Sequence, residues 1–291
     1  MSLPVAIVDA FTTTPGQGNR AGVVTKAKGL DAAAMLKAAR AVAASETAFV
    51  FRDGAKLRLK YFTPEAEIPF CGHATVATVH YLAETEKDSG PGRIEIECGI
   101  GPLDIEMDDE RIIWIGAGDV EWSECGEALE HHVLTLLESV PPLRENSLPM
   151  LKSRGMLYVP LARREDLWRL SPDWDRLAGL KSAENIMGVY AFTLESVEPG
   201  NVSHGRFFAP AVGIREDPVT GMASVPLADY LARFGVLKLP PGGGTVRARA
   251  EQGDAMGKPG RVELEVTGAP GDVQGVRIGG RAVTVIEGTL K

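Results

Sequence analysis

The spacing of hydrophobic residues in the first third of the chain predicts a strand, a helix and a hairpin. The apolar run that begins at residue 5 predicts a strand over 5–10, and the Ala-rich segment 31–44 carries larger apolar residues at helical spacing. Residues 47–51 and 56–62 predict two further strands, which a turn at Gly54 joins. The chain therefore begins as a mixture of strands and helices rather than as a helical bundle.

Residues 73–84 predict a second helix that is apolar almost all round. A helix of this kind is buried on most of its sides. Three short strands are predicted directly after it, at 93–98, 102–107 and 111–115. A buried helix surrounded by short strands indicates a sheet that curls around a helix.

The segment 116–124 is the best candidate for a linker between two domains. Helices are predicted beyond it at 126–139, which the Pro-Pro pair 141–142 ends, and at 220–234. The remaining pattern predicts a surface loop at 240–244 and strands at 156–161, 187–194, 203–208, 246–251, 261–266 and 282–286.

A weak internal repeat links the two halves of the chain. In each half a strand leads through a Phe-x-Pro loop, beginning at Phe62 or Phe208, to a glycine that opens a helix, Gly72 or Gly221. Short strands follow in both halves. The repeat suggests two similar lobes, although chance similarity between two ordinary loop-to-helix units explains the pattern nearly as well.

Length and charge narrow the class of protein. The chain has 291 residues, which favours two packed units over one large domain. Its net charge is −8 and it has no basic stripe, so nucleic-acid binding is not supported. No apolar run reaches the length of a membrane span, and residues 1–11 predict a first strand rather than a signal peptide. These features predict a cytoplasmic protein.

The cysteines and histidines do not form a familiar metal or disulfide pattern. Cys71, Cys98 and Cys125 are odd in number and include no C-x-x-C pair, which argues against a disulfide framework and against a zinc ribbon. The spacing of His73 and His80 matches no standard metal-binding motif. Glycine-rich nucleotide motifs and a G-x-S-x-G elbow are also missing from the sequence. We therefore expect no metal and no nucleotide cofactor.

Several residues are candidates for chemistry, and each has a simpler alternative. Gly72 and Gly221 open helices whose free N–H groups could bind an anion, or they merely permit the chain to turn. Glu46 follows a helix and precedes an apolar strand, so we expect a raised pKa unless it is a solvated turn residue. Asp217 either caps a turn or pairs with His73 or Glu46 to orient a proton-transfer group.

Short motifs run from one end of the chain to the other: Asp9-Ala10-Phe11 with Gly18-Asn19, Ser45-Glu46-Thr47-Ala48-Phe49, Tyr61-Phe62-Thr63-Pro64, residues 67–75 (EIPFCGHAT), Glu216-Asp217-Pro218-Val219-Thr220-Gly221, and Glu251-Gln252-Gly253 followed by Gly257. Taken in order, these motifs resemble the PhzF-like phenazine-biosynthesis family, within the diaminopimelate-epimerase-like fold. The resemblance is loose only in the central region, 121–201.

The resemblance implies an α+β fold of two similar lobes. Each lobe is a mostly antiparallel sheet rolled into a barrel around a central helix. We expect the first lobe to cover 1–118, with strand 278–291 packing back onto it, and the second to cover 119–291. The resemblance further implies an active site in the cleft between the lobes, a homodimer, and no cofactor or metal.

The resemblance also assigns roles to residues. The best-known member of the family is an isomerase that moves a proton across a dihydro-hydroxyanthranilate ring. The matching general acid–base here is Glu46, supported by His73 and Asp217. A small, probably cyclic, carboxylic acid is the implied substrate, and its binding residues are Asn19, Cys71, Gly72, Thr220, Gly221 and Met222.

Two residues depart from the family pattern and leave the substrate open. Arg20 stands where a proline usually follows Gly-Asn, and Met222 stands where a serine usually follows Thr-Gly. Two alternatives remain. One is an amino-acid epimerase or racemase that uses Cys71, although the second lobe has no matching cysteine for two-thiol chemistry. The other is a non-catalytic ligand-binding dimer that has kept the fold.

Overall fold

The computed structural model describes residues 2–53, 56–86, 90–137 and 148–291. The chain divides into two compact units, one formed by 1–117 together with 277–291 and the other by 118–276. The division falls within the segment 116–124 that the sequence marks as a linker. The predicted turn at Gly54, the end of the helix predicted at 126–139 and the Pro-Pro pair after it lie outside the described residues.

Strands outnumber helices in both units. The chain up to the division forms β1 (Leu3–Ala10), β2 (Asn19–Val24), α1 (Ala32–Val42), β3 (Glu46–Asp53), β4 (Lys56–Phe62), β5 (Glu67–Ile68), α2 (Gly72–Thr85), β6 (Gly92–Cys98), β7 (Gly101–Met107) and β8 (Ile113–Ala117). It continues with β9 (Ser123–Glu124), α3 (Glu127–Leu136), β10 (Leu151–Ser153), β11 (Met156–Leu161), α4 (Arg164–Arg169), α5 (Trp174–Glu184), β12 (Gly188–Thr193), β13 (Ser203–Ala209), β14 (Ile214–Asp217), α6 (Gly221–Arg233), β15 (Gly244–Gln252), β16 (Gly260–Ala269), β17 (Asp272–Gly280) and β18 (Ala282–Leu290).

In the first unit, a mostly antiparallel sheet is built around α2. β1 pairs antiparallel with both β18 and β2, and β6, β7 and β8 form an antiparallel meander. The parallel pairs are β2 with β3 and β4 with β6. Helix α2 packs against β1, β2, β3, β8 and β18. Ten of its 14 residues are buried, so the predicted sheet curled around a buried helix is confirmed.

The second unit repeats this arrangement around α6. β11 runs parallel to β12, β13 runs parallel to β15, and β12–β13 and β15–β16 are antiparallel. Eleven of the 13 residues of α6 are buried, and the helix packs against β16. The Tyr158 hydroxyl on β11 donates to the Ala223 carbonyl, and the Phe192 ring contacts Tyr230 edge-on. The α+β class is confirmed, whereas closure of either sheet into a complete barrel stays a prediction.

The two central helices begin and end where the sequence predicts them. The segments predicted at 73–84 and 220–234 correspond to α2 and α6 within about one residue at each end. At 14 residues, α2 is the longest helix among the described residues. None of the helices in these ranges is long and apolar enough to cross a membrane.

The sequence pattern missed several elements: β2, β5, β9, β10, α4, α5, β14 and β17. The helix α5 illustrates the reason. It is a polar helix with only Leu177 and Leu180 buried, so it has almost no apolar periodicity. Its bounds are instead set by local caps, since Asp173 accepts from the Arg176 amide and Asn185 ends the helix in the left-handed conformation.

Candidate active site

Helix α2 begins at Gly72, directly after Cys71. Its N-cap, Cys71, is extended and makes no side-chain capping bond. The Cys71 carbonyl is held firmly, because the Thr75 hydroxyl donates to it at 2.7 Å and the Tyr61 hydroxyl lies 2.6 Å from the Thr75 oxygen. The first N–H groups of a helix have no partner within the helix, and they carry its positive dipole end. The start of α2 at Gly72 is therefore suited to bind an anion.

Glu46 and His73 form a buried pair beside this helix start. Glu46 is the first residue of β3, and His73 is the second residue of α2. His73 Nε2 lies 3.1 Å from Glu46 Oε2, and the two side chains are only 8% and 9% exposed. No donor among the described residues is aligned for a hydrogen bond to Glu46 Oε2. The oxygen is thus close to a positive partner while its lone pairs remain available.

The surrounding hydrogen bonds fix one proton of His73. The Ser45 hydroxyl donates to the Arg20 carbonyl at 3.0 Å, and its oxygen lies 3.3 Å from His73 Nε2. Because the Ser45 hydrogen is used, its oxygen can only accept, so Nε2 carries a hydrogen. The other ring nitrogen, Nδ1, lies 3.3 Å from the Asn19 amide nitrogen and 3.4 Å from Cys71 Sγ. His73 is therefore oriented from both of its ring nitrogens.

Contact between the partners moves the pKa values of Glu46 and His73 apart. Burial raises the pKa of Glu46, but contacts with His73 and Ser45 outweigh it and leave that pKa below the ordinary value. Burial lowers the pKa of His73, but Cys71 and Glu46 outweigh it and leave that pKa well above the ordinary value. The raised pKa expected for Glu46 from its sequence context is wrong, because an imidazole that local sequence does not reveal faces the carboxylate.

Cys71 lies in the same cluster as a neutral thiol. Burial and the charge of Glu46 raise its pKa more than contact with His73 lowers it. A metal ion could be held by one group of side chains among the described residues. The group consists of Glu46, Cys71 and His73, whose ligand atoms lie within 4.8 Å of one another. The contacts of His73 with Glu46 and Cys71 already explain why the three side chains lie close together, and we assign no ion to this group.

A tight turn places Asn19 next to His73. Gly18, directly before it, has a φ of +64°, and a Cβ there would lie 2.1 Å from the Ala10 carbonyl oxygen. Only glycine fits this conformation and this approach. Asn19 is 1% exposed at the start of β2, where its amide reaches the imidazole.

The structure also explains the departure at Arg20. Its guanidinium binds the Asp9 carboxylate through two bonds, Nε to Oδ1 at 2.7 Å and a terminal nitrogen to Oδ2 at 3.0 Å. The side chain of Asp9 is 1% exposed, whereas that of Arg20 is 45% exposed. The Gly16 amide donates to Asp9 as well. Arg20 therefore compensates a buried carboxylate and does not enter the Glu46–His73 pair.

In the second unit, a hydrogen-bonded cluster precedes α6. Asp217 ends β14, and Thr220 is the N-cap of α6. The Thr220 hydroxyl donates to Asp217 Oδ2 at 2.6 Å. The Gln252 side chain contacts both residues: its Nε2 donates to the Asp217 carbonyl at 2.8 Å, and its Oε1 accepts from the Thr220 amide at 3.2 Å. Helix α6 then opens at Gly221, as α2 does at Gly72.

The predicted site residues fall into two groups, one in each unit. The structure brings together Asn19, Glu46, Cys71, Gly72 and His73 in the first unit, and Asp217, Thr220, Gly221 and Met222 in the second. The pairing of Asp217 with His73 or Glu46 stays a prediction.

Two further histidines, His80 and His204, each lie beside a carboxylate. His80 Nε2 lies 3.2 Å from Glu84 on the same helix. Both ring nitrogens of His204 have partners, because Nδ1 lies 2.9 Å from Glu251 and Nε2 accepts from Trp168.

Sequence reasoning missed two contributors, Ser45 and Gln252. Both belong to segments that carry the family resemblance, Ser-Glu-Thr and Glu-Gln-Gly, which was the available signal. The direction of their side chains depends on strand pairing, because neighbouring residues of a strand point to opposite faces. Local sequence does not supply that direction.

Comparisons with known proteins identify the family of the chain. The family model described as phenazine biosynthesis-like protein, PhzC-PhzF, matches residues 8–288. A curated relative from Clostridium acetobutylicum, named an uncharacterized isomerase, is 36% identical over 97% of this chain and 96% of its own length. The crystal structure of a Bacillus anthracis phenazine biosynthesis protein of the PhzF family matches with a TM-score of 0.88 and 28% identity, over 100% of this chain and 99% of that one.

A more distant match extends the fold beyond this family. A hydroxyproline epimerase from Agrobacterium vitis matches with a TM-score of 0.58 and 11% identity, over 99% of this chain and 92% of that one. At this identity the match shows the fold alone, which is the epimerase-like fold that the sequence predicts. The family match covers nearly the whole chain, and the curated relatives are named isomerases. The chain belongs to the PhzC-PhzF family of phenazine biosynthesis-like proteins and is an enzyme of the isomerase class.

Proposed function

We propose that the protein moves a proton within a small, cyclic carboxylic acid, with Glu46 as the general acid–base and without a cofactor. The proposal rests on the surroundings of one atom, Glu46 Oε2. It is a buried carboxylate oxygen with no aligned hydrogen-bond donor among the described residues, 3.1 Å from an imidazole nitrogen. Buried polar atoms normally have a hydrogen-bond partner, and a catalytic role is one of the explanations for an exception.

The low pKa of Glu46 favours return of the proton over its retention. Glu46 is ionised near neutral pH and can accept a proton from an acidic carbon of the substrate. As that C–H bond breaks, its electron pair moves into the neighbouring π-system. The protonated Glu46 then donates to a second carbon and becomes a carboxylate again. Base and acid are one group, so the reaction leaves the enzyme unchanged.

His73 keeps Glu46 ready for this exchange. Its Nε2 lies 3.1 Å from Glu46 Oε2, and its raised pKa favours the positively charged form, which stabilises the Glu46 anion between turnovers. Asn19 and Ser45 hold the ring in place. Asp217, fixed by the Thr220 hydroxyl, is proposed as a stationary anion that orients the proton-transfer group.

The starts of α2 and α6 are proposed to bind the substrate's carboxylate or carbonyl. Their backbone N–H groups favour negative charge, including the charge that develops when the proton leaves. Met222, 37% exposed beside Gly221, would add an apolar contact where relatives of this family usually offer a hydroxyl. The replacement of a serine by Met222 favours a substrate that has an apolar edge next to this side chain.

An epimerase that uses Cys71 as its base is the second candidate. Cys71 lies within hydrogen-bond reach of His73, which could in principle activate it. Its pKa is raised, however, so a neutral thiol predominates near pH 7, whereas Glu46 is already ionised. The carboxylate is therefore the better base in this cluster.

Deuterium incorporation from D₂O, followed by NMR, tests the proposal. The protein would be incubated with dihydro-3-hydroxyanthranilate and with a panel of small amino and hydroxy acids. We expect one compound to exchange a carbon-bound hydrogen, and Glu46→Gln to reduce that rate at least about 10³-fold because the variant has no ionisable base. Glu95→Gln, an exposed residue of β6, is the matched control and should retain the wild-type rate.

Exchange that persists in Glu46→Gln would overturn the role of Glu46. Exchange that is lost on Cys71→Ala instead would favour the epimerase. The absence of exchange with every compound would favour a non-catalytic ligand-binding role. A homodimer and a cytoplasmic location remain predictions, and sedimentation equilibrium checks the first.

A further inference from the structure

The Glu-Gln-Gly segment at the end of β15 contacts the loop that leads into α6. Gln252 is 1% exposed and lies at the last position of β15. Its backbone lies between two strands, since residue 252 pairs with Gly205 of β13 and with Gly260 of β16. A side chain mounted on a strand paired on both sides starts from a fixed position.

The hydrogen bonds of Gln252 leave no ambiguity in the orientation of its amide. Nε2 faces the Asp217 carbonyl oxygen at 2.8 Å, which can only accept, and Oε1 faces the Thr220 amide at 3.2 Å, which can only donate. Nε2 also lies 3.1 Å from the Thr220 hydroxyl oxygen. One side chain therefore contacts three polar groups across four residues of the loop.

These contacts determine where the Thr220 hydroxyl hydrogen goes. The hydroxyl oxygen accepts from Gln252 Nε2, so its own hydrogen is directed to Asp217 Oδ2, 2.6 Å away. The order of donation runs from Gln252 through Thr220 to the Asp217 carboxylate. Gln252 thus acts on a proposed catalytic group through an intermediate residue.

Gly253 brings the backbone to the same loop. Its φ is +92°, and a Cβ there would lie 2.7 Å from the Pro218 carbonyl oxygen and 2.2 Å from that of Lys258. Only glycine permits this approach. The neighbouring Glu251 serves a different loop, because its carboxylate accepts from the amides of Val197 and Glu198. Contact with the α6 loop is therefore specific to Gln252 and Gly253.

We propose that Gln252 is a positioning residue of the second unit, which holds Thr220 and Asp217 in place so that the start of α6 binds the substrate. This inference rests on the proposed function. It deepens that function by naming the residue that aligns the substrate-binding helix start. Gln252 itself makes no contact with substrate in this scheme.

A double-mutant cycle tests the route through Thr220. The variants are Gln252→Ala, Thr220→Val and the two combined, assayed with whichever compound of the panel exchanges in D₂O. We expect each single variant to raise KM at least about tenfold with kcat within threefold, because a binding surface is misaligned while Glu46 is untouched. The KM of the double variant should be no higher than that of the more impaired single variant, since both changes break the same chain of hydrogen bonds.

Gln274→Ala is the matched control. Gln274 also donates its amide to an aspartate, Asp272, but on exposed residues of β17. We expect it to match the wild type in both KM and kcat. Additive effects in the cycle, or a KM for Gln252→Ala that equals that of Gln274→Ala, would overturn the proposal.

A second measurement separates this inference from the proposed reaction. Hydrogen exchange of the Thr220 amide needs no substrate, and its protection depends on Gln252 Oε1. We expect exchange at this amide to rise at least about tenfold in Gln252→Ala and to stay unchanged in Gln274→Ala. If no compound reacts, this result alone decides the positioning role: a Thr220 amide that remains protected refutes it. Gln252→Met, which keeps about the size of the side chain but removes both the donor and the acceptor of the amide, replaces Gln252→Ala in both measurements if the alanine variant does not fold.

Discussion

The starts of α2 and α6 share a backbone design but differ in their side chains. Each helix opens at a glycine after an extended N-cap residue, and neither N-cap makes a side-chain capping bond. At α2 the neighbouring groups titrate, since Glu46 and His73 face each other in a buried pair. At α6 the neighbouring groups are fixed by hydrogen bonds from Gln252 and Thr220.

This difference suggests a division of labour between the two clusters. A group that takes up and returns a proton needs a partner that tolerates both states, and His73 provides one for Glu46. A residue that only orients the proton-transfer group, as is proposed for Asp217, gains from being held in place, and the Thr220 hydroxyl donates to its carboxylate. Under the proposed function, the same helix start is combined with proton transfer in one unit and with positioning in the other.

Among the changes that distinguish the two helix starts, we expect the largest effect from removing His73. His73→Gln should lower the exchange rate about 10²-fold, since the Glu46 carboxylate loses its positive partner. It should also destabilise the fold most near pH 5–6. The stabilising share of His73, whose folded pKa is raised, is complete below its unfolded pKa of about 6.5 and is lost as pH rises through the folded value.

The Glu46 share of this stability has the opposite sign. The folded pKa of Glu46 is lowered, so its contribution is present above the unfolded pKa of about 4.3 and disappears as pH falls through the folded value. Urea unfolding of wild type and His73→Gln at pH 5.5 and 9 checks the prediction. His80→Gln is the control on the same helix, because burial and Arg111 lower the pKa of His80 despite Glu84, and its destabilisation should instead grow with pH. Equal pH trends for both variants would refute the ion pair.

Asp217→Asn tests the hydrogen-bonded cluster at the start of α6. The Thr220 hydroxyl can still donate to the new amide oxygen, so the loop should stay in place while the negative charge is lost. We expect kcat/KM to fall about 30-fold, close to 2 kcal/mol, with exchange from D₂O still measurable. If Asp217→Asn instead abolishes exchange as completely as Glu46→Gln, both clusters transfer protons and the division of labour is wrong.

The sequence predicts the buried helices far better than it predicts the contacts at their starts. The apolar character of 73–84 and 220–234 is sufficient to place α2 and α6, because burial on all sides requires it. The polar helix α5 lacks that signal and was missed. Motif resemblance located Glu46, His73 and Asp217 within the chain.

The direction of the Glu46 pKa could not be predicted in the same way. Its local context, a helix end and an apolar strand, indicates a raised value, and burial does act in that direction. The deciding contact comes from His73, 27 residues away in sequence, and it exists only once β3 and α2 have packed. Gln252 illustrates the same limit, because its partner Thr220 lies on another element.

Each unit also contains a buried aspartate that pairs with a half-exposed arginine, and these pairs differ in strength. Arg20 makes two bonds to Asp9, whereas Arg233 makes one of 3.3 Å to Asp229, which Trp122 also binds. We expect Arg20→Ala to cost about 2 kcal/mol of unfolding free energy and Arg233→Ala about 0.5 kcal/mol. Urea denaturation checks both values. Equal losses would show that Asp9 does not depend on Arg20.

The smallest effect on activity should come from Cys71, although it touches His73. Burial raises the pKa of the Cys71 thiol, whereas the pKa of Glu46 is lowered, so Glu46 is the better base near pH 7. Cys71→Ala should therefore change kcat/KM by no more than about threefold in the D₂O assay, with Cys98→Ala, another buried cysteine, as the control for packing. A loss of about 100-fold or more at Cys71 alone would identify the thiol as the base. The first cluster would then use sulfur chemistry, with Glu46 and His73 serving to ionise the thiol rather than to carry the proton themselves.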